Sequence, residues 1–349
     1  MKKAKAAIFD AGPGTIRLQS VELPHPQGKE IRVKNAYTTL CSSDLKTYSG
    51  DRKEANPTIL GHEVCGIIDS FGPDAPRQDE NGQVINQGDL VTWAVFASPK
   101  DDPQSGAGRP QKAKGLFKYG HERHTSACSW HGGLAEYTIL RPDSLVLKVK
   151  KEVPLPVAAL ANCAVATMVG ALRIADGLMG RHVLVSGAGT LGLVGCALCK
   201  AAGAASITVA EPDEHRRAMS RQFGADKVFA PEQLSGAFDL VFETSGMPSS
   251  MENTLETLAI GGKAIWVGAV FPQRKLNLSA EQLIRKLHTI KGLHNYNRAD
   301  FIQAVGFLEQ FHSQFPFEKL IQREFPLSEV TQAFEYATSE KPFRAGVRI

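Results

Sequence analysis

The stretch "LCSSDLKTYSG", Leu40 to Gly50, sets Cys41 ahead of Ser42, Ser43, Asp44 and Lys46. A structural cysteine usually sits among apolar neighbours. A cysteine in polar company is more often a ligand or a nucleophile. Lys46 pulls the other way, since a cation repels a metal ion. Further on, "ILGHEVCG" places His62 and Glu63 at the start of an apolar strand. Cys163 follows much later, in an otherwise apolar, Ala-rich run. Two soft thiolates and one imidazole suit zinc. Three protein ligands leave one coordination position open, the arrangement of a catalytic site. Spacing alone only suggests this, because each residue taken singly fits a structural role as well.

A second chemistry is written in "SGAGTLG", which contains Gly187-x-Gly189-Thr190-Leu191-Gly192. A lone match to this pattern is weak. Here it follows an apolar strand, opens a helical stretch, and has Glu211 at the end of the next strand. Those contexts make it a dinucleotide fingerprint. The glycines let the backbone approach a pyrophosphate, which sits at the positive end of the helix. Glu211 can accept hydrogen bonds from the ribose hydroxyls and would repel a 2′-phosphate, which favours NAD over NADP. Arg216 and Arg217 pull the other way, since either could reach a 2′-phosphate. Val267, within the stretch "KAIWVGAV", is a further candidate cofactor contact. Cys196 and Cys199 share one face of the helix after the fingerprint. Core packing against the sheet is their expected role.

The elements that must position these groups fall into two textures. The chain has 349 residues, which sets a prior of two domains. Residues 1–150 read as short β-branched strands separated by Gly, Pro and Asp turns. The segment Ala97–Gly115 reads as a long polar surface loop. From residue 181 onward, strand and helix alternate, which predicts a doubly wound parallel sheet. Helical pieces and a short strand close the chain from about residue 295.

Composition excludes several roles. Lys and Arg number 40 against 36 Asp and Glu, a net charge of +4 and too mild to suggest nucleic acid. The N-terminal "MKKAKAAIFDAGPG" has lysines but no apolar run after them, so no signal peptide is read. The uncharged run Pro154–Leu172 contains Pro156 and Asn162 and predicts a buried helix rather than a membrane span. Six scattered cysteines fit a reducing cytoplasm.

The order C-x-S-D, then G-H-E, then Cys163, then G-x-G-x-x-G resembles the zinc-dependent medium-chain alcohol dehydrogenase family over nearly the whole chain. The resemblance implies a GroES-like, β-rich catalytic domain over 1–152, completed by 295–349, and a Rossmann domain over 153–294. It implies that Cys41, His62 and Cys163 hold a catalytic zinc, with Glu63 a carboxylate able to approach the metal. It implies that Asp44 orients the histidine, that Ser43 touches the substrate oxygen, and that Thr167 lies near the nicotinamide. Cys65 is expected in the core. The implied reaction moves a hydride between an alcohol and NAD, or the reverse, in a homodimer or homotetramer.

Two departures stand out. Relatives often carry four cysteines for a structural zinc in the lobe after "GD-V". Here that lobe, Ala97–Glu122, has none, and Ala113 stands where the last would be. One zinc per chain is therefore expected. His121, His124, Cys128 and His131 offer a substitute with metal-like spacing. Lys46 stands where relatives often place a histidine that ends a proton relay, and lysine is a poorer relay near neutral pH. It is carried as a catalytic candidate beside a plain ribose or solvent contact. The "LFKYGH" core is similar to a subgroup associated with phosphonate catabolism. Lys118, His121, Arg123, and Lys46 or Arg52, would then hold an anionic head group. Competing expectations are a polyol- or threonine-type dehydrogenase, a zinc-free quinone or enoyl reductase, and a non-catalytic NAD-binding sensor.

Overall fold

The computed structural model describes every residue but Met1, Ala11 and Ala127. The chain divides into two compact units. Unit 1 holds Met1–Cys163, Asn297–Ser313 and Phe317–Ile349, and unit 2 holds Ala164–Tyr296 and Gln314–Pro316.

Unit 1 begins with strands β1 (Lys3–Phe9), β2 (Ile16–Glu22), β3 (Ile31–Thr39), β4 (Thr58–Ile59) and β5 (Glu63–Phe71). It continues with β6 (Leu90–Ala97), β7 (Phe117–Lys118), β8 (Tyr137–Leu140) and β9 (Ser144–Lys148). Unit 2 supplies β10 (His182–Ser186), β11 (Ser206–Ala210), β12 (Lys227–Phe229), β13 (Phe238–Glu243), β14 (Leu258–Trp266) and β15 (Thr289–Gly292). The last strands, β16 (Ile321–Pro326) and β17 (Arg344–Arg348), return to unit 1.

The large sheet of unit 1 runs β16-β17-β3-β5-β6-β7, with β8 beside β3 and β9 beside β6. Its register sets the site. Thr39 lies opposite Glu63 on β5 and opposite Gly346 on β17. The C-terminal strand is thereby laid along the strand that ends just before Cys41. Helix α1 (Ser42–Ser49) starts at once, with Cys41 at its N-cap, and stops at Gly50, whose φ of 86° suits a left-handed C-cap. Asp44 and the Cys41 N-cap make a reciprocal capping box.

The expected long loop after β6 has structure of its own. Helix α2 (Pro103–Gly106) and a 3₁₀ turn at Pro110–Lys112 occupy it. Asp102 ties the lobe together: one carboxylate oxygen accepts from Gln104 N at 2.7 Å and the other from Lys114 N at 3.0 Å. Ala113 is buried.

The Ala-rich run forms α3 (Leu155–Ala158), a π-helical turn at Ala161–Val165, and α4 (Ala166–Ala175). Its length and composition would suit a membrane span, but most of it is buried in the protein.

Unit 2 is a parallel six-stranded sheet, β12-β11-β10-β13-β14-β15. Val183, Leu184 and Val185 of β10 are fully buried, as a strand covered on both faces requires. Strand order reverses between β10 and β13. Such a switch point leaves a crevice at the carboxyl ends of the strands, where doubly wound sheets bind ligands. Helix α5 (Thr190–Ala201) leaves from the end of β10. Cys196 and Cys199 are fully buried on it.

Candidate active site

In unit 1 the ligand atoms of Cys41, His62 and Cys163 all lie within 4.8 Å of one another. Cys41 arrives from the end of β3, His62 from the residue before β5, and Cys163 from the π-helical turn. A π-turn widens the helix by one residue and is frequent at functional sites. Asp44 holds the group from behind. One of its oxygens faces His62 Nδ1 at 3.2 Å and accepts from Gly61 N at 3.2 Å, and the other accepts from Cys41 N at 3.0 Å. With Nδ1 so engaged, Nε2 is the nitrogen left to face the thiols. Ser43 Oγ lies 3.4 Å from that Nε2.

The charges suit a cation. The Cys163 thiol, then the Arg344 charge and His62, hold the Cys41 thiol well below its ordinary pKa against the cost of burial. The same contact pushes the Cys163 thiol up. Burial raises the Asp44 carboxyl, but the neighbouring His62 outweighs it and the net shift is downward. Two thiols and one imidazole with a carboxylate behind the imidazole fit zinc. Cys65 stands apart from this group. It is fully buried, which pushes its thiol up to about 12.

Glu63 lies beside the group without being one of its three ligands. It is fully buried. Arg344 Nε donates to one oxygen at 2.6 Å and Nη2 to the other at 2.8 Å, a bidentate pair. The Thr39 hydroxyl also donates to it. Arg344 Nη2 reaches 3.7 Å from Cys41 Sγ. Sequence reasoning missed Arg344 and Thr39. Their signal was an arginine and a threonine in strands otherwise read as packing.

A polar group extends from the other side of His62. The His121 ring lies on it with centroids 5.1 Å apart. His121 Nδ1 is 3.4 Å from Glu54 Oε1, and Glu54 pairs with Arg52. Glu54 also went unnoticed in the sequence. Lys118 is half-buried, and burial and the Arg52 charge push its pKa down. Arg123 is exposed and makes no ion pair among the described residues. Lys46 is half-buried in the last turn of α1.

His131 is 2% exposed, and neither ring nitrogen has a hydrogen-bond partner among the described residues. Burial, with His124 and His121 nearby, pushes its pKa down to about 3. Among the described residues, Cys41, His62 and Cys163 are the one group placed to share a metal. His121, His124, Cys128 and His131 do not form a second.

In unit 2, Gly187 has φ 93°, and a Cβ there would sit 2.8 Å from Ser245 N. Glycine is required on both counts. Gly189 is the N-cap of α5, and Thr190, Leu191 and Gly192 form its first turn. Glu211, directly after β11, accepts from Ala188 N at 2.7 Å and from Asp213 N at 3.1 Å. The acidic residue thus touches the fingerprint loop itself. Arg217 Nη1 donates to the carbonyls of Glu211 and Pro212 at 2.7 Å each. Arg216 Nη1 lies 3.8 Å from where a Cβ of Gly189 would be. Thr167 on α4 and Val267 after β14 are both buried.

Residues 27–151 match the family profile for the alcohol dehydrogenase GroES-like domain, and residues 190–310 match the zinc-binding dehydrogenase profile. The chain belongs to the zinc-type medium-chain alcohol dehydrogenase family. An L-threonine 3-dehydrogenase of Saccharopolyspora erythraea is 26% identical, over 92% of this chain and 92% of its own. An S-(hydroxymethyl)glutathione dehydrogenase of Komagataella pastoris is 28% identical, over 81% of this chain and 80% of its own. The solved structure of an alcohol dehydrogenase from Thermotoga maritima superposes with a TM-score of 0.93 at 24% identity, covering all of both chains. This dehydrogenase is therefore an enzyme with a GroES-like and a Rossmann unit, and zinc and a nicotinamide dinucleotide are its cofactors. Neither the zinc-free reductase nor the non-catalytic sensor fits that membership.

Proposed function

We propose that Cys41, His62 and Cys163 hold the catalytic zinc and that Ser43 handles the substrate proton. The clustering of the three ligand atoms within 4.8 Å carries this reading. A zinc ion there supplies the positive charge that acidifies the alcohol. Ser43, next to His62, would accept the hydrogen bond of the substrate hydroxyl and, as it receives that proton, release its own toward solvent, so that the serine stays neutral, while Asp44 orients the ring of His62. Glu211 favours NAD over NADP, with its carboxylate already turned into the fingerprint loop. Thr167 and Val267 border the nicotinamide half of the cofactor. Family membership supports a homodimer or homotetramer. Metal analysis tests the site. Wild type is expected to hold about one zinc per chain, and Cys163→Ser to lose most of it, with activity falling at least about a thousandfold, or about 4 kcal/mol. Full zinc with full activity in Cys163→Ser overturns the proposal.

The alcohol is proposed to be anionic, of the phosphonate-bearing kind. Lys118 supports this. Burial and then the Arg52 charge disfavour a proton on Lys118, and Glu54 offsets them only in part, so an anionic head group beside Lys118 would be favoured. Glu54 favours a second reading, a threonine-type amino alcohol, because its carboxylate suits an ammonium. The test compares a hydroxyalkylphosphonate, an amino alcohol and a neutral alcohol of similar size, each with NAD⁺ and NADP⁺. The expected result is a preference for the anion and for NAD⁺ of about tenfold or more in kcat/KM, with the anion preference lost in Lys118→Ala. No preference for the anion in wild type ends the first reading.

A further inference from the structure

The buried carboxylate of Glu243 has no part in the chemistry above. It closes β13, at the carboxyl edge of the sheet, next to the strand that carries the fingerprint. Glu243 is fully buried. Its carboxylate has no cationic partner among the described residues. Instead it gathers neutral donors from the turn that follows it and from the helix Pro248–Glu256 beyond that turn. Ser245 N donates at 3.0 Å and Ser250 Oγ at 3.0 Å, and Gly246 N is shared between the two carboxylate oxygens at 3.1 Å each. The Ser245 hydroxyl donates as well. Ser250 Oγ in turn lies 2.7 Å from Ser186 Oγ on β10.

This turn is the floor of the fingerprint loop. Thr244 N donates to Ser186 O at 2.9 Å. Thr244 Oγ1 donates to Ser186 O at 3.0 Å and to Gly187 O at 2.9 Å. Ser245 N is the atom that denies Gly187 a Cβ. On the other flank, Val267 N and Gly268 N donate to Glu243 O at 2.9 and 3.1 Å. The Glu243 carboxylate therefore fixes the turn under the first glycine of the fingerprint, and its backbone carbonyl anchors the loop after β14.

We infer that Glu243 is a positioning residue for the dinucleotide: its carboxylate locks the Thr244–Gly246 turn so that the loop at Gly187, which rests on that turn, is held in its binding shape before the cofactor arrives. The inference rests on the dinucleotide reading of unit 2. Pre-ordering a loop removes an entropy cost that would otherwise weaken binding. A carboxylate is needed because one oxygen must serve several donors at once, and an ionised acceptor makes hydrogen bonds roughly twice as strong as a neutral one.

The experiment titrates NADH onto the zinc-loaded enzyme by fluorescence, in wild type, Glu243→Gln and the double variant Ser245→Ala/Ser250→Ala. Each is also assayed for KM of NAD⁺ and for kcat at saturating NAD⁺. For Glu243→Gln the expected result is a Kd for NADH and a KM for NAD⁺ raised about tenfold, with kcat changed less than about twofold. The double variant moves the same way by a smaller factor. Hydrogen exchange at the Ser245 and Gly246 amides rises in both. A merely structural role would lower kcat with the folded fraction and leave Kd unmoved. If Glu243→Gln folds and binds NADH within about twofold of wild type, the inference is overturned. If Glu243→Gln does not fold, the double variant decides, and an unchanged Kd there overturns it. Loss of NADH binding by wild type itself would instead overturn the dinucleotide reading.

Discussion

Glu63 and Glu243 are the same residue type and both fully buried, Glu63 opening β5 and Glu243 closing β13. Their surroundings differ. Glu63 is clamped by a guanidinium that arrives from the far end of the chain. Glu243 is clamped by peptide N–H groups and hydroxyls from its own turn and the helix that follows it. The difference follows from what each must sit beside. Glu63 shares its arginine with Cys41, so the cation balances a carboxylate and a thiolate in the group that suits a metal. Glu243 lies where unit 2 is read to receive an anionic dinucleotide. A fixed guanidinium there would pair with Glu243 instead of leaving its acceptors to the turn. A buried charge pair commits two distant segments to each other. A carboxylate among dipoles orders only its own neighbourhood.

The sharpest way to break this contrast is Arg344→Met. It leaves Glu63 buried without its cation, which is expected to cost about 3–5 kcal/mol in urea unfolding. The double variant Arg344→Met/Glu63→Gln is expected to recover most of that, because both charges leave together. If the single and double variants unfold alike, the pair is not the clamp described. A smaller effect is expected for Asp44→Asn. Asp44 keeps one oxygen on His62 Nδ1. The amide can still fill the space but can present its N–H₂ to that nitrogen. Zinc affinity, read by chelator competition, is expected to fall about 10–100-fold with little change in melting temperature.

Much of this was legible beforehand, for physical reasons. The parallel sheet of unit 2 announces itself because apolar strands and amphipathic helices alternate, and the fingerprint glycines have one conformation to satisfy. Cys41, His62 and Cys163, whose ligand atoms the fold brings together, were picked out by residue type and order, and Asp44 by the family resemblance. The partners were not. Arg344 lies at the opposite end of the chain, and only the pairing of β17 with β3 brings it to Glu63. Glu54 reads as one more surface carboxylate until the fold sets it against His121. Ala97–Gly115 read as a plain loop because short helices within a Gly/Pro-rich segment leave no periodicity. The tie made there by Asp102 depends on two backbone amides, which a sequence does not show. The pattern is general to this chain. Chemistry carried by side-chain identity is readable, and chemistry carried by register is not.

The smallest expected effect is the pH dependence that Glu243 contributes. Burial pushes the Glu243 carboxyl up, and the donors around it reduce the rise without cancelling it. A carboxyl raised in the folded state keeps its proton over a pH range in which the unfolded chain, at an ordinary pKa of about 4.3, has already released it. The folded state then binds more protons, so stability falls as pH rises through that range. Glu243→Gln removes the titration. The stability of wild type relative to Glu243→Gln should therefore be greatest at low pH, decline as pH climbs from the ordinary carboxylate range, and level off once Glu243 is ionised in both states. Urea unfolding of the two proteins in parallel, stepped in pH, measures it. Other carboxylates titrate equally in both and cancel in the difference. A difference that stays flat would mean that the neutral donors stabilise the anion as fully as water does. A difference that rises with pH would mean that they overcompensate. Either outcome would mean that burial does not set the charge of Glu243. The expected decline has a functional side. Wild type would give up some stability at neutral pH to keep an ionised acceptor under the fingerprint loop, the exchange of stability for a pre-ordered site that binding surfaces often make.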